Sequence, residues 1–579
     1  MATMESVSLC PPTTTSAPIK RVDWLTIVVL AIMASIFYAA TIDRSEYSFI
    51  LKADEGYSFA AAVKVGEGLT PQKDFSYAYG PLMPYVYAAA FKVFGVSIPV
   101  MRAIWAAAYI ATIVLFFVIG RELLPTWLAA IAAFNLIGQI HTPLYSYNHV
   151  GLVLAVQLQL LIAIRLIRFQ LMSSYRWLIA LTALFTVELF IKFNEAVAVF
   201  FFLSLSLALW FQFRDRSLIE EKRRTWEVAL KAWSLVVGIP LVIFGLVTLY
   251  LNRHLTAEQI YRNFPILPEY HASVGGYHYV WKLLLRPLSL HGLPNLPWRW
   301  YSLWYENYYY AICVTFVCGA AAIVGLGVVL LSSSVRQRMT ANHWAGVLVG
   351  GVSLGLYHEF FLTGNHWSTP MYVGFSSLFV VWIVFLVTQK HPAFTLGWGV
   401  CLFLVSFASA AVYLKIATSS FSEYALDLDR ARIRSSNDSD APVISQVVHY
   451  LDQNTAPNIS LAAFPHDSLL IHLAGRTNIM RDDDYQWMLF PNDKSDQEIV
   501  EELESKRVPG ILISNFVGIK AGRPVMFGVD YLTRTNNYIR GHYHEAKTFS
   551  AGDDGYAVTY FQLDDSAMAK PAQRLEQQP

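Results

Sequence analysis

ADEGYSFAAAVKVGEGLTPQKDFSYAYGPLMPYVYAAAFKVFG, residues Ala53 to Gly95, decides the fold because of what stands on either side of it. Apolar runs of membrane-spanning length lie before it, near 23–42, and after it, near 98–120. The stretch between them opens on a carboxylate pair, Asp54-Glu55, and stays rich in Gly, Tyr and charge. It reads as the first non-cytoplasmic loop, 43–97, of a chain that crosses a membrane many times. A carboxylate pair at that place points to chemistry at a membrane surface.

The composition agrees, since 55% hydrophobic and 15% charged over 579 residues is too apolar for a soluble multidomain chain. Further apolar stretches follow near 124–140, 149–167, 176–192, 194–212, 229–251, 308–331, 343–362, 368–387 and 394–416. The predicted class is a polytopic α-helical membrane protein of about eleven transmembrane helices. Basic residues fall in alternate connections: Lys20 with Arg21, Arg121, Arg165 with Arg168 and Arg176, Arg214 to Lys231, Arg336 with Arg338, and Lys390. The short connections 141–148 and 362–367 carry none. Short basic loops stay cytoplasmic, which places the leader 1–22 inside and, after an odd number of spans, the C-terminus outside. Lys20-Arg21 before an apolar run also fits a cleaved signal peptide, but the run is longer than a signal core and a polar leader precedes it, which favours a retained helix.

After the membrane region, 23–416, the composition changes. Residues 417–579 hold 23 acidic against 15 basic residues, whereas the rest holds 19 against 28. Ile444–Leu451 and Gln497–Ser505 read as helices; Ile459–Phe464, Gly510–Ser514 and Tyr556–Leu563 read as strands. The tail is therefore an extracytoplasmic α/β domain with apolar residues enough for its own core. Cys10, Cys313, Cys318 and Cys401 all lie outside the exposed loops and the tail, so neither a disulfide staple nor a zinc cage is expected there. No phosphate-cradling GxxxxGK[ST] loop is present, which disfavours direct ATP hydrolysis. Nothing suggests a nucleic-acid partner.

Ionisable groups are expensive in a bilayer and usually functional. Asp54, Glu55, Asp74, His149, Glu188, Lys192, Glu195, His358, Glu359 and His366 all fall at or within about two turns of the outer surface, while the inner halves are nearly free of such groups. A transport path distributes polar groups along its length, so a one-sided cluster favours a catalytic cavity over a transporter or flippase of lipid-linked saccharides, or a noncatalytic sensor. Simpler roles stand beside the functional ones. Asp54 suits an N-cap before the amphipathic segment Tyr57–Val65; Glu188 and Lys192 are spaced to pair on one helix face; His358-Glu359 suits a structural pair. His254 and Glu258 have a spacing compatible with metal ligation, though one common by chance. The second outer loop, 252–307, interleaves aromatic residues with Lys282 and Arg286. That pattern fits an interfacial belt or a lid whose cations hold a phosphate.

These residues carry a resemblance. Asp54, Glu55 and Tyr57, the small-residue helix ending at Gly66 and Gly68, Lys73-Asp74-Phe75, and Gly80-Pro81-Leu82 before an aromatic stretch resemble the first outer loop of the GT-C glycosyltransferases. The nearest likeness is to bacterial family 39-like proteins related to protein O-mannosyltransferases and lipid A aminoarabinose transferase. Phe190 to Glu195, Gly364-Asn365-His366 with Pro370, and FPHDSLLIHLAGR in the tail extend the resemblance over nearly the whole chain. One departure is that Tyr147-Asn148-His149 stands where many relatives have a second aspartate. No second catalytic acid is carried over, and Asn148 and His149 become binding candidates.

The resemblance implies a hexosyl- or pentosyltransferase of the bacterial plasma membrane. It would move a sugar from a polyprenyl-phosphate donor, with inversion, to a hydroxyl of a glycan, lipid or protein acceptor of the cell envelope. Asp54 is then the candidate general base. Glu55, Tyr57, Asp74, Tyr79, Asn148, His149, Lys192, Glu195, Lys282, Arg286, His358, Glu359 and His366 are candidates for substrate binding. Lys192, Arg286 or a divalent cation held by Glu55 or Asp74 would meet the leaving phosphate. Whether a metal takes part stays open.

Overall fold

The computed structural model describes residues 21–40, 42–45, 55–139, 149–169, 175–213, 219–265, 339–363, 369–419, 424–435, 440–490, 492–520, 523–552 and 555–564, with a few positions between 324 and 334. A bilayer leaves backbone polar groups no partner but each other, and the apolar runs accordingly become helices. In chain order these are α1 (Arg21–Ala39), then β1 (Arg44–Ser45), α2 (Gly56–Gly66) and α3 (Leu82–Phe94) of the first loop, then α4 (Ile98–Arg121), α5 (Thr126–Gln139), α6 (His149–Phe169), α7 (Tyr175–Ile191), α8 (Phe193–Phe213) and α9 (Ile219–Asn252). The second loop begins with α10 (Ala257–Asn263), and α11 (Ala341–Thr363), α12 (Thr369–Thr388) and α13 (Pro392–Ser419) complete the membrane half.

Among the described residues five helices are long and apolar enough to cross a membrane, which makes this a multi-pass membrane protein. Ten of the eleven expected apolar stretches fall on helices, and the eleventh, 308–331, lies almost wholly outside the described residues. Local sequence sets several boundaries. Ser97 caps α4 by accepting from the Val100 N–H, with Pro99 in the first turn. Thr256 and Gln259 form a reciprocal capping box on α10. Small residues let helices approach closely: a Cβ on Gly355 of α11 would stand 2.5 Å from Val199 Cα of α8.

The tail follows with β2 (Tyr424–Leu428), β3 (Ala431–Ser435), α14 (Ala441–Asn454), β4 (Ser460–Phe464), α15 (Ser468–Leu473), β5 (Thr477–Asn478), α16 (Asp493–Lys506), β6 (Gly510–Ser514), β7 (Val517–Lys520), β8 (Arg523–Met526), α17 (Thr533–His542), β9 (Tyr543–Ser550) and β10 (Ala557–Leu563). Its main sheet runs β5-β4-β6-β10-β9, with β5, β4 and β6 parallel and β10 antiparallel to both neighbours. Alternation along β4 sends Leu461 and Ala463 to one face, with Val447 and Leu451 of α14, and Ala462 and Phe464 to the other, with Ile499 of α16 and Ile539 of α17. Helices therefore cover both faces, as expected for an α/β domain.

The tail is joined to the membrane half by more than its linker. β1 of the first loop pairs in parallel with β3, Arg44 opposite Arg434 and Ser45 opposite Ser435. The Asp43 carboxylate meets Arg434 at 2.9 Å, and the Ile98 N–H at the start of α4 donates to Arg430 O at 2.8 Å. The α14 face of the sheet belongs to the same continuous apolar core as Trp105 and Phe116 of α4.

Candidate active site

The acidic loop is anchored at the second residue of its carboxylate pair. Glu55 ends the turn into α2 without capping it. Its carboxylate instead accepts from Arg102 of α4, from Nε at 2.6 Å and from Nη2 at 2.9 Å, with the two side chains 0% and 1% exposed. The same guanidinium donates to Ile42 O at 3.0 Å. This planar two-point pairing fixes direction as well as distance. Both oxygens are engaged by the guanidinium, so Glu55 anchors the loop to α4. Asp54 lies outside the described residues, one position before this anchor.

The following residues shape the loop. The Tyr57 hydroxyl accepts from the Ala78 N–H at 2.9 Å and donates to Ser76 O at 3.2 Å, while its ring stacks on Tyr77 at 5.0 Å and meets the edge of Tyr79 at 6.2 Å. Burial pushes this phenol well above its ordinary range, and the Ala78 bond offsets only part of that. Gln72, at φ 67, donates to Tyr79 O at 3.2 Å. Asp74 closes the turn before it by accepting from the Thr70 N–H at 2.8 Å, with Lys73 3.5 Å away. Tyr57 and Asp74 thus hold the loop's form, with the Tyr79 ring packed at the edge of Tyr57.

The tip of the loop lands on the turn between α7 and α8. The Gly80 N–H donates to Ile191 O at 3.1 Å, and a Cβ at Gly80 would stand 2.2 Å from Phe190 O, so only glycine fits. Beside it Lys192 and Glu195 form a buried ion pair at three-residue spacing. The pairing expected between Glu188 and Lys192 is corrected: helix α7 stops at Ile191, and the lysine turns to the first turn of α8 instead. Glu188, fully buried, has no hydrogen-bond partner on either oxygen among the described residues.

Other helix ends converge on the same place. Gly151, in the first turn of α6, sits 2.9 Å in Cβ terms from Met83 Sδ of α3 and 3.5 Å from Ile191 Cδ1. Helix α11 approaches α8 closely, with Gly351 against Ser206 and Gly355 against Val199. His149 begins α6 at the loop tip. Among the described residues the structure brings Gly80 together with Lys192 and Glu195, while His149 begins α6 and His358 and Glu359 lie in the last two turns of α11. Asn148, Lys282, Arg286 and His366 lie outside the described residues.

His254 and Glu258 are otherwise engaged. Glu258 pairs with Lys494 at 2.7 Å and His254 Nε2 accepts from Arg253 at 2.9 Å. Among the described residues no three His, Cys, Asp or Glu side chains are arranged to hold a metal. The sequence reading missed Arg102 and Lys64, both essential to the loop's placement. Arg102 did leave a signal, since an arginine at the outer end of an apolar run breaks the basic-inside pattern.

No family model matches the chain, and no curated protein matches its sequence. Similar solved structures include ArnT from Cupriavidus metallidurans bound to undecaprenyl phosphate, 11% identical with a TM-score of 0.48, over 93% of this chain and 98% of that one. The archaeal oligosaccharyltransferase AglB from Archaeoglobus fulgidus, in complex with an inhibitory peptide and a dolichol-phosphate, is 11% identical with a TM-score of 0.46, over 85% of this chain and 69% of that one. Its apo form gives 10% identity and a TM-score of 0.47 over the same shares.

Proposed function

We propose that this chain is an integral-membrane glycosyltransferase that takes a sugar from a polyprenyl-phosphate donor and transfers it, with inversion, to a hydroxyl of a cell-envelope acceptor. The observation that carries the reading is the seating of the acid-led loop on the α7–α8 turn, through Gly80 and Ile191, beside the Lys192–Glu195 pair. An acid-bearing loop and a buried ammonium at one membrane face are the two charges that the reaction needs at opposite ends of the sugar. The resemblance of residues 53–95 to the first outer loop of GT-C enzymes supports the same reading.

In this reaction the acceptor oxygen forms a bond to the anomeric carbon as the bond from that carbon to the phosphate oxygen breaks. The hydroxyl proton passes to the Asp54 carboxylate, and the lipid phosphate leaves as an anion. Lys192, with Lys282 or Arg286 from the second loop, supplies positive charge to it. Asp74, engaged in its turn, and Glu55, engaged with Arg102, shape the loop without entering the reaction. The membrane half completes eleven spans, with the leader in the cytoplasm and the tail outside the plasma membrane, where lipid-linked sugars are exposed and nucleotide sugars are scarce.

The test is Asp54→Asn in the full-length protein, assayed with a polyprenyl-phosphate sugar and isolated envelope acceptors. Removing a general base lowers rate by about 100-fold to 10,000-fold, whereas removing a helix cap changes stability by about 1 kcal/mol and leaves turnover nearly intact. Normal abundance and donor binding with transfer down at least about 100-fold are expected. Wild-type transfer at matched protein level would remove Asp54 from the mechanism. Mass spectrometry of envelope glycans and lipids with and without the protein identifies the acceptor.

A further inference from the structure

Two adjacent carboxylates of the tail close on two different loops of the membrane half. Asp483 meets Lys64 of α2 at 2.9 Å, both side chains 1% exposed, and the same ammonium donates to Met480 O at 2.9 Å. Asp482 meets Arg262 of α10 at 3.2 Å, both 2% exposed. Arg481, just before them, donates to Lys73 O at 2.6 Å and Gln72 O at 3.0 Å, and its own carbonyl accepts from the Ser76 N–H at 3.0 Å. The two loops touch each other at the same junction, where Asn263 of α10 donates to Gln72 O at 2.7 Å and accepts from the Tyr77 N–H at 3.1 Å.

Buried ion pairs are poor sources of net stability, because apolar residues of similar volume often do as well. What they enforce is geometry, since either partner left alone in the interior is heavily penalised. Here the geometry concerns α2. Its first residue follows Glu55, held by Arg102 of the membrane half, and its last turn carries Lys64, held by the tail. The helix behind the acid pair is thus pinned at both ends, and one of the two pins is outside the membrane half.

We propose that Asp482 and Asp483 of the tail are positioning residues, which set the spacing between the first and second loops through Arg262 and Lys64. The tail thereby acts on the site through the two loops. The catalytic consequence rests on the proposed glycosyl transfer; the spacing itself does not.

The experiment uses the full chain with its native cysteines replaced by serine and spin labels at positions 67 and 257, both exposed, one on each loop. Distances are measured by pulsed electron resonance in nanodiscs. The unaltered charges should give one narrow distribution, and Asp482→Asn and Asp483→Asn a broadened or displaced one. The exchanged pair Lys64→Asp with Asp483→Lys should restore it. Where a buried substitution prevents folding, Arg481→Ala decides, because it frees only the carbonyls of Lys73 and Gln72, the second of which keeps Asn263 as donor, and should broaden the distribution without loss of the protein. Transfer kinetics on the same variants should show kcat reduced by about 100-fold, the scale of an ångström-level misplacement, with donor KM little changed. Unaltered distances in Asp482→Asn, Asp483→Asn and Arg481→Ala would overturn the proposal, as would reduced kcat with unaltered distances. Absence of transfer in the unaltered protein counts against the proposed reaction alone, because the distances decide the positioning independently.

Discussion

Arg102→Met should be among the most damaging single substitutions in the first loop. It leaves the Glu55 carboxylate, fully buried, without the two donors that face it at 2.6 and 2.9 Å. Removing one partner of such a pair costs about 3–5 kcal/mol, and the lost bond to Ile42 O adds about 1 kcal/mol. Glu55→Leu should cost a similar 3–5 kcal/mol by taking the carboxylate away from a buried guanidinium. The double variant replaces both charges with apolar groups, so its cost should fall well short of the sum, with a coupling of at least about 2 kcal/mol. As neither side chain is exposed, salt should change little, because screening acts on groups that water reaches. Denaturant or thermal unfolding of the purified protein in detergent measures the cycle. Single-variant costs that add to the double-variant cost within about 0.5 kcal/mol would show that the pair is not coupled, and that the loop is held by something else.

Gly80→Ala places a Cβ about where Phe190 O now stands, at 2.2 Å, so the loop tip must lift from the α7–α8 turn. A destabilisation of about 1–3 kcal/mol is expected, with loss of transfer larger than that of stability, measured on the same preparation. Topology is checked at Lys547, which is exposed on β9. Lys547→Cys in a cysteine-free background should react with an impermeant maleimide on intact cells, and reaction only after permeabilisation would invert the assignment. Ser495 on α16 is unsuitable because it is 1% exposed and bonded to Asn492. A fragment of residues 424–564 should melt cooperatively, since helices cover both faces of its main sheet, but at lower temperature than in the whole protein, because β3 loses β1 and Asp482 and Asp483 lose Arg262 and Lys64. A fragment with no transition would make the tail dependent on docking for its fold.

Much of the fold was legible because two solvents write two different periods. A run such as Ile98–Arg121 has one solution in a bilayer, and Ser97 with Pro99 marks where it begins. Strands such as Gly510–Ser514 and Ser460–Phe464 show themselves as short apolar runs between turn residues. Helix α3 was harder to see, because Pro84 in its first turn and the surrounding glycines and tyrosines resemble loop sequence, although the first turn tolerates proline. The four-residue spacing of Glu188 and Lys192 misled because that rule presupposes one unbroken helix, and the chain turns between Ile191 and Phe193. No local pattern could join Lys64 to Asp483 across the length of the membrane half.

The pairing of Glu55 with Arg102 bears on how two adjacent carboxylates would serve one loop in the proposed reaction. Two like charges sharing a reacting centre oppose each other's ionisation and would raise the pKa of one of them, which suits a shared-proton dyad and not a base that must be ionised before each turnover. Neutralising Glu55 against a guanidinium removes that conflict at its source. On the proposed mechanism one acid is structural so that its neighbour can be chemical, and the arginine that pairs with the structural one lies on a membrane helix, α4.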